Sequence, residues 1–133
     1  MKTHITLVNI RNLIAHERVD AARLREVRTN MRVQQVIRRP VIVDRASHVI
    51  LDGHHRVRVL RELGAKRVPV LYVRYQDAGI CVQLRRKEML SAILKRYVVE
   101  MAVTGKLFPS KTTRHILPGR RTMRAIRIKE LLE

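Results

Sequence analysis

The chain has 133 residues and a mass of 15.6 kDa, a single-domain length with room for one modest core. Hydrophobic residues make up 46% and charged residues 30%, which is typical of a folded protein and excludes a disordered tail. No apolar run is long enough to span a bilayer and no signal-peptide pattern follows Met1, so we expect one cytoplasmic domain over residues 1–133 without a membrane partner. A lone cysteine, Cys81, excludes an internal disulfide and a cysteine-based metal site, and its apolar neighbours predict a buried structural thiol.

Positive charge dominates the composition. The chain has 29 Lys and Arg residues, 22 of them Arg, against 11 acidic residues, so its formal net charge is +18. Such a charge attracts polyanions, including nucleic acid and nucleotide phosphates. Ion-pair networks also use arginine, but 11 acids cannot pair with 29 bases. Four aromatic residues are too few for a platform that stacks single-stranded bases.

The first half of the chain predicts three strands and two helices. Alternating β-branched residues indicate a strand over residues 4–10. Asp20 is a favourable N-cap for an arginine-rich helix over residues 21–30. Two short strands, 40–44 and 48–51, flank a turn, and a second helix opens directly after them.

The second half continues the alternation of strands and helices. Gly64 stands where a helix C-terminal glycine belongs, and it ends the second helix. The remaining predicted elements are strands over residues 68–75, 80–84 and 125–128 and a helix over residues 87–104. These elements predict a compact α/β (α+β) domain with a small mixed sheet flanked by helices.

The sequence Leu-Asp-Gly-His-His-Arg, residues 51–56, lies at a predicted strand-to-helix junction. A helix N-terminus offers unpaired N–H groups and the positive end of its dipole, and Gly53 permits close approach of an oxygen. Arg56 can bind a phosphate with two donors, and Asp52 can cap the helix or bind a magnesium ion that arrives with a nucleotide. The sequence therefore predicts a phosphate site here, and an Asp-capped helix with two surface histidines is the alternative.

A second donor cluster occupies residues 108–115, Phe-Pro-Ser-Lys-Thr-Thr-Arg-His. Ser110 or Thr112 is expected to cap a short helix whose first amides add further donors. The cluster suits a second phosphate or the carboxylate of a small substrate. The alternative is a basic loop that contacts solvent or a nucleic-acid backbone.

Residues 51–56, with the strand pair before them and residues 63–70 after them, resemble the ParB/sulfiredoxin-like superfamily. Together with Ile-Ala-His-Glu at 14–17 and Lys-Thr-Thr-Arg-His at 111–115, they resemble the archaeal free L-serine kinases, in a shortened form with 54 residues between the two donor motifs. The resemblance implies a ParB/sulfiredoxin-like fold. It also implies phosphoryl transfer from ADP or ATP, with Mg²⁺, to free L-serine, giving O-phosphoserine for cysteine biosynthesis.

The same resemblance implies roles for single residues. Glu17 is the expected general base for the serine hydroxyl, and Asp52 is expected to hold Mg²⁺ or orient the reacting groups. The residues expected to cradle the nucleotide phosphates are Gly53, His54, His55 and Arg56. Those expected to clamp a phosphate or the serine carboxylate are Lys111, Thr112, Thr113, Arg114 and His115.

A second hypothesis is a ParB-like nucleic-acid-binding protein that has a nucleotide or phosphate pocket and no kinase activity. It draws on the net charge of +18 and on a basic patch near the C-terminus, formed by Arg120, Arg121, Arg124 and Arg127. The residues do not distinguish ADP from ATP as donor. Oligomeric state also stays open, and for a homodimer we expect the interface on the methionine-bearing helix of residues 89–101.

Overall fold

A computed structural model describes residues 5–74, 81–84, 91–105, 113–116 and 123–133, and for residues 81–84, 91–94 and 113–116 it describes the backbone alone. The strands are β1 (Ile5–Asn9), β2 (Val36–Ile37), β3 (Val41–Asp44), β4 (Ile50–Asp52), β5 (Arg67–Val73), β6 (Cys81–Leu84), β7 (Thr113–Ile116) and β8 (Ile126–Arg127). The helices are α1 (Ala21–Gln34), α2 (His54–Glu62), α3 (Ser91–Val103) and α4 (Ile128–Leu131), and a 3₁₀ turn covers Ile10–Asn12.

The main sheet has four strands in the order β1-β5-β3-β4. The β1–β5 and β3–β4 pairs are antiparallel, and β5 runs parallel to β3. All four residues of β3 are buried, as expected for an interior strand that is covered on both faces. Two short antiparallel pairs, β2–β8 and β6–β7, lie outside this sheet.

Helices cover both faces of the main sheet. On one face, Val41 and Val43 pack in the larger core cluster with side chains of α1, α2 and α4. On the other face, Ile42 packs with Val98 and Ala102 of α3. This division follows the alternation of side chains along a strand. The predicted α/β architecture, a small mixed sheet flanked by helices, is confirmed. No helix in the described part of the chain is both long and apolar enough to cross a bilayer.

Helix α1 begins as predicted and ends later than predicted. The Asp20 side chain accepts a hydrogen bond from the main-chain N–H of Arg23, which is an N-cap contact. The helix continues past Asn30 to Gln34 because Met31, one turn beyond Val27 on the buried face, packs into the core. Gln35 then ends the helix in a left-handed conformation.

Two local predictions near the donor motifs are wrong. Asp52 does not cap α2, because β4 continues through residue 52 and the N-cap position falls on Gly53. Residues 113–116 form β7, which pairs with β6, instead of the expected short helix. Backbone pairing with a distant strand outweighs the local capping signal there. Lys111 and Thr112 lie outside the described residues.

Candidate active site

A loop of residues 13–20, called the Glu17 loop below, connects the 3₁₀ turn to α1 and runs beside β4. Ile14 N–H donates to the carbonyl oxygen of His48 at 2.9 Å, and the Ile14 carbonyl accepts from Ile50 N–H at 2.7 Å. These bonds form a parallel bridge between Ile14 and Val49. The start of the Glu17 loop is therefore fixed to the outer strand of the sheet.

His16 is the fully buried residue of this loop. Its Nδ1 donates to the carbonyl oxygen of Ile50 at 2.7 Å. Burial lowers the pKa of the His16 imidazole from 6.5 to about 4, and the bond to Ile50 acts in the opposite direction. The ring is therefore neutral near pH 7. Its Nε2 lies 3.8 Å from a carboxylate oxygen of Glu17, beyond hydrogen-bond distance, so His16 adds no positive charge beside that carboxylate.

Helix α2 opens with a backbone conformation that requires glycine. Gly53 has φ of 113°, outside the range that L-residues readily adopt. A Cβ atom at this position would lie 3.0 Å from Nη2 of Arg56 and 3.1 Å from a methyl carbon of Val41. No side chain caps the helix, and its first turn contains no acidic residue. A helix start of this kind favours an anion, through main-chain N–H groups and the positive end of the helix dipole.

The imidazole rings of His54 and His55 contact the Glu17 loop. Nε2 of His54 accepts a hydrogen bond from the main-chain N–H of His16 at 3.1 Å, and Nε2 of His55 accepts one from the main-chain N–H of Asp20 at 2.9 Å. The His54 ring also packs edge-on against the His16 ring, with centroids 4.6 Å apart. A main-chain N–H can only donate, so neither ring carries a proton on Nε2.

Arg56 is held by main-chain oxygens and a carboxylate. Its Nη1 donates to the carbonyl oxygens of Arg39 at 2.7 Å and Pro40 at 3.2 Å, and its Nη2 lies 3.6 Å from Oδ2 of Asp52. Burial lowers the pKa of Arg56, the Asp52 carboxylate opposes this, and the nearby charges of Arg39 and Arg23 lower the pKa further. Positive charge is therefore concentrated beside the start of α2.

The predicted site residues divide into two groups. The first group lies at the junction of the Glu17 loop, β4 and α2, and comprises Glu17, Asp52, Gly53, His54, His55 and Arg56. In the second group, Thr113, Arg114 and His115 lie on β7, and the predicted roles of all of Lys111–His115 stay predictions. No role was predicted for His16 or for the main chain of Asp20. The adjacent His-Glu pair shortly before the N-cap of α1 is the sequence signal that could have pointed to them.

Asp52 fits a magnesium ion that is held mainly by a nucleotide. Magnesium at nucleotide sites binds one or two carboxylates together with phosphate oxygens and water. The Asp52 side chain is 63% exposed beside the start of α2, so it can reach such an ion. Among the described residues, no group of three or more His, Cys, Asp or Glu side chains is arranged to hold a metal without a nucleotide.

Comparison with known proteins relates the chain to serine kinases and to a ParB-like protein. No family model matches it. A stretch of 93 residues, 67% of the chain, is 28% identical to the ATP-dependent L-serine kinase of Staphylothermus marinus and covers 37% of that protein. A stretch of 44 residues, 33% of the chain, is 41% identical to a ParB-like protein of Sulfolobus acidocaldarius and covers 22% of it. A solved structure of free serine kinase in complex with AMP superposes with a TM-score of 0.83 at 16% identity, covering 98% of this chain and 95% of that chain.

The chain therefore has the fold of free serine kinase. It also resembles an ATP-dependent L-serine kinase and a ParB-like protein in sequence, as the motifs predict. The chain spans little more than a third of the length of the first relative and less than a quarter of the second.

Proposed function

We propose that this protein transfers a phosphoryl group from ATP or ADP to the hydroxyl of free L-serine. The observation that carries the proposal is the junction between the Glu17 loop and α2. A largely buried glutamate, with its side chain 13% exposed, lies in a loop that is hydrogen-bonded to the uncapped, glycine-opened N-terminus of a helix. Similarity to an ATP-dependent L-serine kinase supports the choice of acceptor and donor.

The start of α2 suits the phosphates of the nucleotide. Its first-turn main-chain N–H groups and helix dipole attract phosphate oxygens, and Arg56 with its neighbour Arg39 adds positive charge. Phosphoryl transfer depends mainly on positioning and on stabilising charge at the phosphate oxygens. When bound, Mg²⁺ supplies part of that stabilisation, and Asp52 would hold it together with the phosphates.

Glu17 is the proposed general base. The serine oxygen forms a bond to the terminal phosphorus, its proton passes to a carboxylate oxygen of Glu17, and the bond from phosphorus to the leaving phosphate oxygen breaks. Neutral His16 supports this role because an imidazolium beside Glu17 would stabilise the carboxylate and make it a weaker base. In the proposed reaction the protein's own contribution is one proton acceptor and a positively charged cradle.

The test is a phosphorus NMR assay with purified protein, Mg²⁺ and L-serine, and with ATP or ADP in parallel samples. We expect an O-phosphoserine signal whose rate falls about 10²- to 10⁴-fold in Glu17→Gln, the usual contribution of a positioned base. Glu100→Gln is the matched control, because this carboxylate is 61% exposed on α3 and pairs only along its own helix with Arg96 among the contacts described. A folded protein that forms no O-phosphoserine with either donor contradicts the function. A Glu17→Gln variant with the control's rate contradicts the assignment of the base.

A second candidate function is nucleic-acid binding, and the net charge of +18 favours it. Similarity to a ParB-like protein over 33% of the chain supports the same candidate. If six to ten phosphates are contacted, the affinity for duplex DNA should fall by about 10³- to 10⁵-fold between 50 and 200 mM salt. Fluorescence anisotropy with a labelled duplex measures this dependence, and an affinity that hardly changes with salt contradicts the second function.

A further inference from the structure

Two histidines at the start of α2 connect the proposed phosphate site to the proposed base. We propose that His54 and His55 are positioning residues whose neutral rings accept main-chain hydrogen bonds and so hold the Glu17 loop against the N-terminus of α2. The catalytic part of this inference rests on the proposed function, whereas the loop-holding part does not. Resemblance implies a different role for both residues, namely binding of the nucleotide phosphates.

The two hydrogen bonds bracket Glu17. One holds the main chain at residue 16, directly before the glutamate, and the other holds it at residue 20, three positions after it. Edge-on packing of the His54 ring on the buried His16 ring adds a third contact at the same place. The main-chain bonds of Ile14 fix the start of the loop, and Glu17 itself lies in a β-bridge. The histidine bonds at residues 16 and 20 add to these contacts on either side of the glutamate.

The contacts fix the protonation of each ring. Because each Nε2 accepts from an N–H group, the proton of each ring resides on Nδ1, and an imidazolium could not make either bond. A ring nitrogen that accepts from the loop cannot also donate to a phosphate, so Nε2 of each ring is committed to the loop. The Nδ1–H of each ring is still a donor, and the kinetic comparison below separates a phosphate contact through Nδ1 from a positioning role through Nε2.

Placement of the base matters because a displacement of about 1 Å at a reacting group can cost about 10²-fold in rate. Without the two histidine bonds, the main chain on either side of Glu17 is held less firmly, and the glutamate spends less time in positions that suit proton transfer. Loss of an anchor should therefore lower kcat and leave the KM for the nucleotide nearly unchanged. Loss of a phosphate ligand should raise the KM instead.

The experiment compares two substitutions at each position. His55→Leu removes the acceptor, whereas His55→Gln supplies an amide oxygen at a similar distance from the main chain; His54→Leu and His54→Gln form the second pair. We expect amide hydrogen exchange at Asp20 to become about 2- to 12-fold faster in His55→Leu, the range that corresponds to one lost hydrogen bond. Exchange should stay near the wild-type rate in His55→Gln. The equivalent readout for the His54 pair is the amide of His16.

Steady-state kinetics supply the second readout. We expect kcat to fall about 10- to 100-fold in the leucine variants, with a change in nucleotide KM below about threefold, and to recover largely in the glutamine variants. Unchanged exchange at residues 16 and 20 in the leucine variants would overturn the proposal. So would a raised nucleotide KM with an unchanged kcat, which is the result expected of phosphate ligands.

Two further measurements distinguish a failure of the proposed function from a failure of this inference. If the wild-type protein does not phosphorylate serine, the proposed function fails, and amide exchange still decides whether the histidines hold the loop. If a leucine variant does not fold, long-range ¹H–¹⁵N NMR of the wild-type rings decides, because the proposal requires a protonated Nδ1 and an unprotonated Nε2 in both. A proton on Nε2 of either ring refutes its acceptor role.

Discussion

His16 makes the stability of the folded protein depend on pH. The unfolded chain protonates this imidazole below its ordinary pKa of 6.5, whereas the folded chain does so only below about pH 4. Between these values the unfolded state binds more protons, so acidification favours unfolding. The loss is about 1.4 kcal/mol per pH unit across this window, or about 3 kcal/mol in total. Solvent screens this imidazole little, because the side chain is 1% exposed. The stability that depends on a neutral His16 is fully present above pH 6.5 and is lost below about pH 4.

A matched variant isolates this effect from other titrating groups. His16→Asn keeps an N–H donor for the Ile50 carbonyl and cannot titrate. Urea unfolding gives the free energy of unfolding of both proteins at pH 7.5 and at pH 4. Between these pH values the unfolding free energy should decrease by about 3 kcal/mol less in the variant than in the wild type. At pH 7.5 the variant should be the less stable protein, because asparagine fills less of the buried space. Equal pH dependence in the two proteins would refute the reasoning. So would an NMR titration of wild-type His16 with a midpoint near 6.5, a measurement that does not require a folded variant.

Two further predictions concern the N-cap residues of α1 and α2. Gly53→Ala should lower the unfolding free energy by about 1–3 kcal/mol and weaken nucleotide binding, because alanine is strained at φ of 113° and its Cβ would crowd Val41. Urea unfolding measures the first effect and calorimetric titration with nucleotide the second. An unchanged unfolding free energy would contradict the strain at residue 53. Asp20→Ala should lower the unfolding free energy by about 1 kcal/mol, because the N-cap bond from Arg23 is lost. Amide exchange at residue 20 should stay slow, since alanine keeps the main-chain N–H that His55 binds. Rapid exchange there would mean that the side chain of residue 20, and not His55, holds the loop.

Local sequence signals predict the helices and strands that form the site, but they do not predict the contacts between them. The start of α2 follows from an Asp-Gly pair before a helical apolar pattern, and β3 follows from the β-branched run at residues 41–43. Asp20 as the cap of α1 follows from residue type and position alone. Each of these features depends on neighbours within one or two turns, and such interactions can be read from a single sequence.

Non-local contacts account for the predictions that failed. Asp52 and Gly53 are both good helix-start residues, and the choice between them was made by the pairing of β4 with β3, which extends the strand through Asp52. Residues 113–116 carry a local helix-capping signal before them and form a strand because β6 pairs with them. Likewise, two adjacent histidines on a helix look like surface donors in sequence. Only the fold brings the Glu17 loop close enough, 35 or more positions away in the chain, to turn them into acceptors.

The structure also refines what the arginine content implies. Several guanidinium groups are used to bind main-chain carbonyl oxygens: Arg56 at residues 39 and 40, Arg61 at residues 10 and 13, and Arg67 at residue 130. The planar guanidinium, with five N–H donors, suits this role better than the ammonium of lysine. A carbonyl oxygen satisfies a donor without cancelling its charge, so these structural arginines still contribute to the positive field that a phosphate meets. A structural use of arginine and an attraction for polyanions are therefore compatible. The salt dependence of binding distinguishes a nucleotide from a nucleic acid as the ligand, because it counts the phosphates that are contacted.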